Sequence, residues 1–370
     1  MSLTSTPFFV LTILITICAL VALFVFWNRI PGPRPARLGG RLGLALFSQL
    51  TAVVAVMVYV NNSMGPFYES WSDLFGGSSA PPVTTAVGGG GQHGHGGGQA
   101  GDGKLHFTEY SPGVMKARTV GARSGIDGSV YVWLPPQYRD PAYAQTSFPV
   151  VELLPGTPGT PQAWFGTMRV QDEMQKLMAQ GKVKPMIMVS AKLNTLGGNT
   201  DAGCADIPGT AKTATWLAED VPALVRSNFR AARGADGWGI MGYSAGAYCA
   251  VNLTVQHPET FRAAVSLSGY NTPESPLVTR DPSLARANNP YLLLKQAKQQ
   301  PPVSFLMAGS LQDQGTVPAA RALLGVLHQP GASRLLTVQT GGHTPDVWRG
   351  MLPAALTWLS ARTASQGTAS

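Results

Sequence analysis

The sequence predicts a mostly parallel α/β sheet with helices on both faces, preceded by two transmembrane helices. Two uncharged apolar runs, residues 8–27 and 42–60, lie near the start of the chain, and a glycine-rich stretch follows at 77–104. From about residue 105 onwards, apolar runs of strand length alternate with amphipathic segments of helical length. These three observations together define the expected architecture.

The two apolar runs are long enough to span a membrane as helices. A span needs about 20 residues, and neither residues 8–27 nor residues 42–60 contain a charge. A signal peptide is the alternative for the first run. Against it, the residues before that run hold no Lys or Arg, and no A-x-A-like cleavage site follows it.

The loop between the runs, 28–41, sets the expected orientation. It carries four arginines: Arg29, Arg34, Arg37 and Arg41. The positive-inside rule places such a loop in the cytoplasm, so everything after Val60 is expected on the extracytoplasmic side. Besides anchoring the chain, the spans could pair with another membrane protein or with a second copy.

The chain between the spans and the globular part divides in two. An aromatic-rich segment comes first, and it fits either an interfacial segment on the outer leaflet or a short helix packed on the globular domain. The glycine-rich stretch after it has the composition of a flexible linker, in which His93 and His95 are incidental rather than a metal site. The expected boundaries are therefore 1–62 for the anchor, 63–76 for the interfacial segment, 77–104 for the linker and 105–365 for the catalytic domain.

The elements of the globular domain follow in a regular order. An alternating run around residues 126–132 predicts an antiparallel strand next to a glycine-rich turn. Six buried strands are then expected, at 149–156, 184–191, 237–242, 262–269, 302–309 and 334–340. Amphipathic helices are expected between and after them, at 171–181, 215–229, 245–258, 317–331 and 345–362.

A G-x-S-x-G sequence joins one of these strands to the following helix. In "GIMGYSAGAYCA", Ser244 lies between Gly242 and Gly246. Such a strand–turn–helix holds a serine nucleophile on a tight turn, where bulkier residues at the two glycine positions would strike the neighbouring strand and helix. The N–H of Ala245 would then face a developing oxyanion. The alternative is a small-residue turn without chemistry.

The partners of such a serine follow it in the order acid, then histidine. His343 lies between the last strand and the last helix, behind two glycines, and is the expected base. His328 and His257 are at predicted helix ends and fit structural roles better. Asp313, in the loop after the strand at 302–309, is the expected acid. Asp346 is the alternative, although its place at a helix start suits capping.

Three segments resemble the esterase D / antigen 85-like branch of the α/β-hydrolases, in its membrane-anchored actinobacterial form. They are "LLPGTPGTPQAW", "GIMGYSAGAYCAVNLTVQHPETFRAAVSLSGY" and "GGHTPDVWRGMLPAALTWL", and the resemblance covers roughly residues 115–361. It implies an α/β-hydrolase fold, a triad of Ser244, Asp313 and His343, and backbone oxyanion donors at Ala245 and Thr157. No metal or organic cofactor is implied.

The chain departs from the mycolyltransferases of that branch at two positions. Their oxyanion loop carries an acidic residue beside its glycine, where this chain has Pro155, and their catalytic acid is a glutamate, where this chain has Asp313. Both departures argue against trehalose mycolylation.

The three cysteines exclude a cysteine-rich zinc module. Cys18 fits a small apolar residue in the first span. A bridge between Cys204 and Cys249 would hold a rim loop to the helix after Ser244, and an extracytoplasmic domain permits it; two separate buried thiols are the alternative. Asp201 and Asp206 flank Cys204 and fit polar loop residues, with a role in pocket shape or cation binding as the alternative.

The sequence thus favours a membrane-anchored serine hydrolase that cleaves acyl esters, with a lipidic or envelope-associated substrate. An acyltransferase that passes the acyl group to a sugar or lipid hydroxyl would use the same residues. A non-catalytic envelope binding module is the alternative from another class. Nucleic-acid binding is not expected, because the formal net charge of +8 is spread without a dense Lys/Arg block.

Overall fold

The computed structural model describes residues 6–63, 105–196 and 200–365. The chain forms two compact units, Met1–Ser79 and Ala80–Ser370. The predicted interfacial segment lies outside the described residues except for its first residue, and the predicted linker, with His93 and His95, lies outside them entirely.

The first unit is a pair of helices, α1 (Thr6–Phe26) and α2 (Arg34–Ser63). By length and composition, both can cross a membrane. The hydroxyl of Thr16 on α1 donates a hydrogen bond of 3.0 Å to the carbonyl of Thr51 on α2, so the helices contact each other near their middles. The expectation that 28–41 forms a loop is wrong in part, because α2 already begins at Arg34 and the turn between the helices is short.

The second unit is built on a nine-stranded sheet in the order β1-β2-β3-β5-β4-β8-β9-β10-β11. The six strands from β5 to β11 run parallel, and β1 to β3 join antiparallel at one edge. A two-stranded ribbon, β6-β7, lies apart from this sheet. The strands are β1 (Thr108–Ser111), β2 (Val114–Val120), β3 (Asp127–Trp133), β4 (Val150–Leu154), β5 (Ile187–Ala191), β6 (Asp206–Ile207), β7 (Ala211–Lys212), β8 (Trp238–Tyr243), β9 (Ala263–Leu267), β10 (Ser304–Ser310) and β11 (Arg334–Val338).

Helices connect the strands and cover the sheet. They are α3 (Gln162–Phe165), α4 (Val170–Ala179), α5 (Val221–Asn228), α6 (Ala245–Gln256), α7 (Pro276–Thr279), α8 (Pro282–Ala287), α9 (Pro290–Gln296), α10 (Thr316–Gly325) and α11 (Pro345–Arg362). A short helix, Thr213–Thr215, and a π-helical turn, Trp216–Asp220, lead directly into α5. This arrangement confirms the predicted α/β-hydrolase-type fold with helices on both sides.

Alternation along the central strands creates two separate cores. In β4, Val150 and Leu154 join the core beneath α5, α6 and α10, whereas Val151 and Leu153 join the core beneath α4 and α11. Successive side chains of a strand point to opposite faces, so a strand buried on both sides reads as a continuous apolar run. The apolar pattern carries no separate signal for β1, β2 and the short helices α7 to α9, so the sequence does not predict them.

One charged residue interrupts this apolar strand. Glu152 is fully buried in β4, and within the described residues neither of its carboxylate oxygens has a hydrogen-bond partner. Burial raises the pKa of Glu152 well above its ordinary value, and the positive charge of Arg226 opposes that shift only in part. The carboxyl group is therefore kept neutral over a wide pH range at a cost to stability.

Candidate active site

Ser244 occupies a strained turn between β8 and α6. Its backbone angles are φ 56° and ψ −125°, a region that residues with a side chain rarely adopt and that costs about 1–3 kcal/mol. Its N–H donates to the carbonyl of Leu267 at 3.0 Å, and its carbonyl accepts the N–H of Ala247 at 3.0 Å. These two backbone hydrogen bonds therefore connect the turn to the end of β9 and to the first turn of α6.

The two glycines beside Ser244 leave no room for a side chain. A Cβ at Gly242 would lie 2.0 Å from the carbonyl oxygen of Gly246, and a Cβ at Gly246 would lie 2.3 Å from the carbonyl oxygens of Leu154 and Pro155. All of these neighbours are backbone atoms that cannot move aside. The steric reason expected for the G-x-S-x-G spacing is thus present in the structure.

Ser244, His343 and Asp313 form one hydrogen-bonded chain. The Nε2 atom of His343 lies 2.9 Å from the Oγ atom of Ser244, and its Nδ1 atom lies 2.9 Å from Oδ2 of Asp313. The side chain of Asp313 is 8% exposed and that of His343 is 43% exposed. A buried carboxylate that accepts from Nδ1 leaves Nε2 free to accept the serine proton, and solvent can still reach the imidazole.

Side chains from β10 and the acid loop hold the histidine loop in place. The carbonyl of Gly341 accepts a hydrogen bond from the Ser310 hydroxyl, and the Gly341 N–H donates to Oε1 of Gln312 at 2.9 Å. Gly341 has a φ of 99° and lies too close to Val347 for a Cβ. The acid and base loops are therefore tied together two residues before His343.

Tyr243, the residue before the serine, links three parts of the site. Its ring is buried, stacks on Trp348 at a centroid distance of 4.6 Å and contacts Trp164 at 5.2 Å. Trp348 in turn meets the ring of His343 edge-on at 4.9 Å. Burial raises the pKa of Tyr243, and the backbone of Gly156 opposes that shift only in part, so the phenol stays protonated. Sequence reasoning missed this role, although Tyr243 stands inside the G-x-S-x-G motif.

The loop after β4 lies directly against the nucleophile. A Cβ at Gly156 would lie 3.1 Å from the Cβ of Ser244, a tight contact that would require the nucleophile turn to shift by a few tenths of an ångström. The N–H of Thr157, the next residue of this loop, is the candidate donor. Ala245 is the first residue of α6, where an N–H has no carbonyl partner within the helix.

The remaining predicted residues lie as follows. Cys204 and Cys249 form a disulfide with Cα atoms 5.8 Å apart, which joins the loop before β6 to α6. Asp346 pairs with Arg349 in the first turn of α11 and not with His343.

The other two histidines considered for the site, and the two aspartates beside Cys204, have partners away from the triad. Nδ1 of His257 lies 3.2 Å from a carboxylate oxygen of Glu259. The backbone N–H of His328 donates to Oε1 of Gln300. Asp201 accepts the N–H of Gly203, and Asp206 accepts from Thr215. Within the part of the chain that the structure describes, no group of three or more His, Cys, Asp or Glu residues could hold a metal ion.

A family comparison agrees with this geometry. The family model "Esterase: Putative esterase" matches residues 122–359, which is well over half of the chain. The chain belongs to this esterase family. The matched range contains the whole hydrogen-bonded chain from Ser244 to Asp313.

One curated relative comes from Corynebacterium glutamicum and carries the name "Uncharacterized protein". It is 28% identical over 264 residues, which cover 67% of the esterase chain but only 61% of the relative. The esterase therefore spans about three fifths of that relative's own length.

Solved structures with the same fold include several ester hydrolases. A ferulic acid esterase superposes with a TM-score of 0.57 at 21% identity, covering 67% of this chain and 98% of its own. An S-formylglutathione hydrolase from Agrobacterium tumefaciens superposes with a TM-score of 0.58 at 15% identity, covering 70% and 100%. FphF, a fluorophosphonate-binding serine hydrolase of Staphylococcus aureus, gives 0.53 at 16% identity, covering 67% and 98%. At these identities the likeness shows the fold.

Proposed function

We propose that this esterase is a membrane-anchored, extracytoplasmic serine hydrolase that cleaves acyl esters through Ser244, His343 and Asp313. The observation that carries the proposal is the hydrogen-bonded chain of these three side chains, with the serine on a strained turn. The elements on which they lie, the end of β8 and the loops after β10 and β11, meet at the carboxyl edge of the parallel sheet.

Catalysis begins when His343 removes the proton of Ser244 through Nε2. The Oγ atom attacks the ester carbonyl, and Asp313 stabilises the imidazolium through Nδ1. The N–H groups of Ala245 and Thr157 donate to the oxyanion of the tetrahedral intermediate. His343 then gives its proton to the leaving alcohol, which departs and leaves an acyl group on Ser244.

Water completes the cycle. His343 takes a proton from a water molecule as the water oxygen attacks the acyl carbonyl. The acyl–Oγ bond then breaks, His343 returns the proton to Oγ of Ser244, and the acid leaves. The exposure of the His343 side chain, 43%, supports water as the acceptor, because acyl transfer requires a site that excludes it. Transfer to a sugar or lipid hydroxyl would use the same residues, so alcohol acceptors belong in the first assays.

The proposed domain plan follows the expectation from sequence. Residues 1–62 anchor the enzyme, 63–76 lie at the outer leaflet, 77–104 form the linker and 105–365 carry the catalysis. Two helices long and apolar enough to cross a membrane support the anchor. The arginines between them support a cytoplasmic turn and an extracytoplasmic catalytic domain.

A fluorophosphonate probe tests the nucleophile in the full-length chain. Intact-mass spectrometry should show one adduct on the wild type and none on Ser244→Ala, and labelling of His343→Ala should be slower by about a thousandfold or more. Ser268→Ala is the matched control, since Ser268 is also buried at a φ of 56° after a central strand and has no histidine partner. An adduct that persists in Ser244→Ala would contradict the proposal.

A membrane-impermeant probe that labels intact cells would support the extracytoplasmic side.

A further inference from the structure

The turn between α1 and α2 concentrates positive charge without any neutralising side chain. Four arginines lie within residues 27–41, here called the arginine turn, and the sequence contains no Asp or Glu before Glu69. Counter-charges for these guanidinium groups therefore do not come from the neighbouring sequence.

One of the four arginines has a structural role. Nε of Arg41 donates to the carbonyl of Trp27 at 2.8 Å, its Nη2 atom donates to Asn28, and the guanidinium lies 5.2 Å from the centre of the Trp27 ring. These contacts close the turn against the end of α1. The other three, Arg29, Arg34 and Arg37, are exposed, and their guanidinium groups make no hydrogen bond or ion pair with any described residue.

The arginines of α2 begin in the headgroup layer of a bilayer and continue outwards from it. The apolar part of α2, residues 42–60, has 19 residues in the sequence, which at a rise of 1.5 Å per residue is about 28 Å, the thickness of the hydrocarbon core. On the same helix, Arg41, Arg37 and Arg34 then lie about 1.5, 7.5 and 12 Å beyond the core. Each headgroup layer is about 5–7 Å thick, so the backbone of Arg41 lies inside it, that of Arg37 at its outer edge and that of Arg34 about 5 Å beyond it.

We propose that the arginine turn is a binding site for the phosphate groups of anionic phospholipids in the leaflet that it faces. Guanidinium groups bind phosphate oxygens with paired hydrogen bonds, and Trp27 lies where tryptophan favours the interface. Because α2 begins at Arg34, its positive end adds to the attraction. Because long arginine side chains reach along an apolar surface to the nearest polar layer, the position of this turn directly beside the spans favours lipid phosphates over an acidic protein. This inference rests on the proposed membrane anchor.

Lipid retention by the full-length chain tests the inference. The purified chain is exchanged into equimolar phosphatidylglycerol and phosphatidylcholine, and native mass spectrometry counts the lipids that remain bound. The wild type should retain the anionic lipid with at least a tenfold preference, since each arginine contributes about fivefold. The triple variant Arg29→Gln, Arg34→Gln, Arg37→Gln should reduce that preference to within about twofold of unity, and the corresponding lysine variant should retain part of it.

The matched control changes three exposed arginines of the catalytic domain to glutamine, namely Arg280, Arg286 and Arg321, with the same loss of charge. It should keep the wild-type preference. An unchanged preference in the turn variant would overturn the proposal, as would a wild-type chain that alkaline carbonate extracts from membranes. Fluorophosphonate labelling of the same samples reports on Ser244 alone, so failure of the nucleophile and failure of the lipid site are distinguished.

Discussion

The nucleophile turn and the histidine loop meet at a single hydrogen bond, yet they are held in different ways. The turn around Ser244 is fixed by backbone atoms packed so closely that Gly242 and Gly246 have no space for a Cβ. The histidine loop is held by side chains, those of Ser310, Gln312 and Trp348, and its Gly342 has nothing within 4 Å of a built Cβ. The comparison teaches that the serine position tolerates almost no change, whereas the base position depends on a few separable contacts.

The largest expected difference separates two glycine-to-alanine changes. Gly242→Ala forces a Cβ to within 2.0 Å of backbone, so the turn must open and esterase activity should fall by at least about a thousandfold or the chain should fail to fold. Gly342→Ala, only one residue from the base, meets open space and should keep activity within about threefold. Ester turnover and circular dichroism of both purified variants measure this. Similar losses in the two variants would remove the distinction between the regions.

The two carboxylates near His343 should differ almost as much. Asp313→Asn removes the acceptor that fixes the Nδ1–H tautomer, and kcat should fall by about 10³–10⁴-fold while the fold is kept. Asp346→Asn only breaks an exposed pair with Arg349 and should stay near wild type. Steady-state kinetics on a soluble ester compares them directly. A larger loss from Asp346→Asn would reassign the acid.

Tyr243→Phe tests the link between the two regions. The variant keeps the stack on Trp348 but removes the phenol oxygen that interacts with the backbone of Gly156 in the loop after β4. We expect kcat to fall about tenfold with little change in KM, because the loop donor acts on the transition state. Tyr243→Leu also removes the ring that supports Trp348 and should lose more. Equal kcat in Tyr243→Phe and wild type would show that the hydroxyl has no positioning role.

The smallest effect on activity is expected at Glu152, which instead controls stability. The pKa of Glu152 is raised in the folded state. Between the unfolded pKa of about 4.3 and the folded pKa, the folded chain therefore binds one more proton than the unfolded chain. The free energy of unfolding therefore falls as pH rises through this window, by up to about 1.4 kcal/mol per pH unit. Glu152→Gln should remove that slope, whereas Glu109→Gln, on an exposed edge strand, should leave it in place. Chemical denaturation from pH 4 upwards measures it, and an unchanged slope in Glu152→Gln would contradict the assignment.

Much of the scaffold could be predicted from sequence because its signals are local. The six parallel strands read as apolar runs, and the strand–turn–helix around Ser244 was visible in two glycines and their flanks. The edge strands β1 and β2 were not predicted, since their exposed positions break the apolar pattern. The apolar pattern predicts the second span only from residue 42, whereas α2 begins at Arg34. Its first turns are charged, and hydropathy alone cannot distinguish them from a loop.

The contacts that organise the site depend on distances that the sequence does not record. Order along the chain pointed to Asp313 and His343, and the structure brings both together with Ser244. The part played by Tyr243 depends on Trp348, which is more than a hundred residues away, and on a loop glycine. The unpartnered carboxylate of Glu152 depends on the burial of β4 on both faces, which the residue type alone does not indicate.

The most direct test of the nucleophile is rapid-quench analysis of the full-length enzyme with a p-nitrophenyl ester. We expect a burst of about one nitrophenolate per active site, with the acyl group recovered on the peptide that contains Ser244. Steady-state turnover without a covalent acyl group, or an acyl group on another residue, would contradict the account.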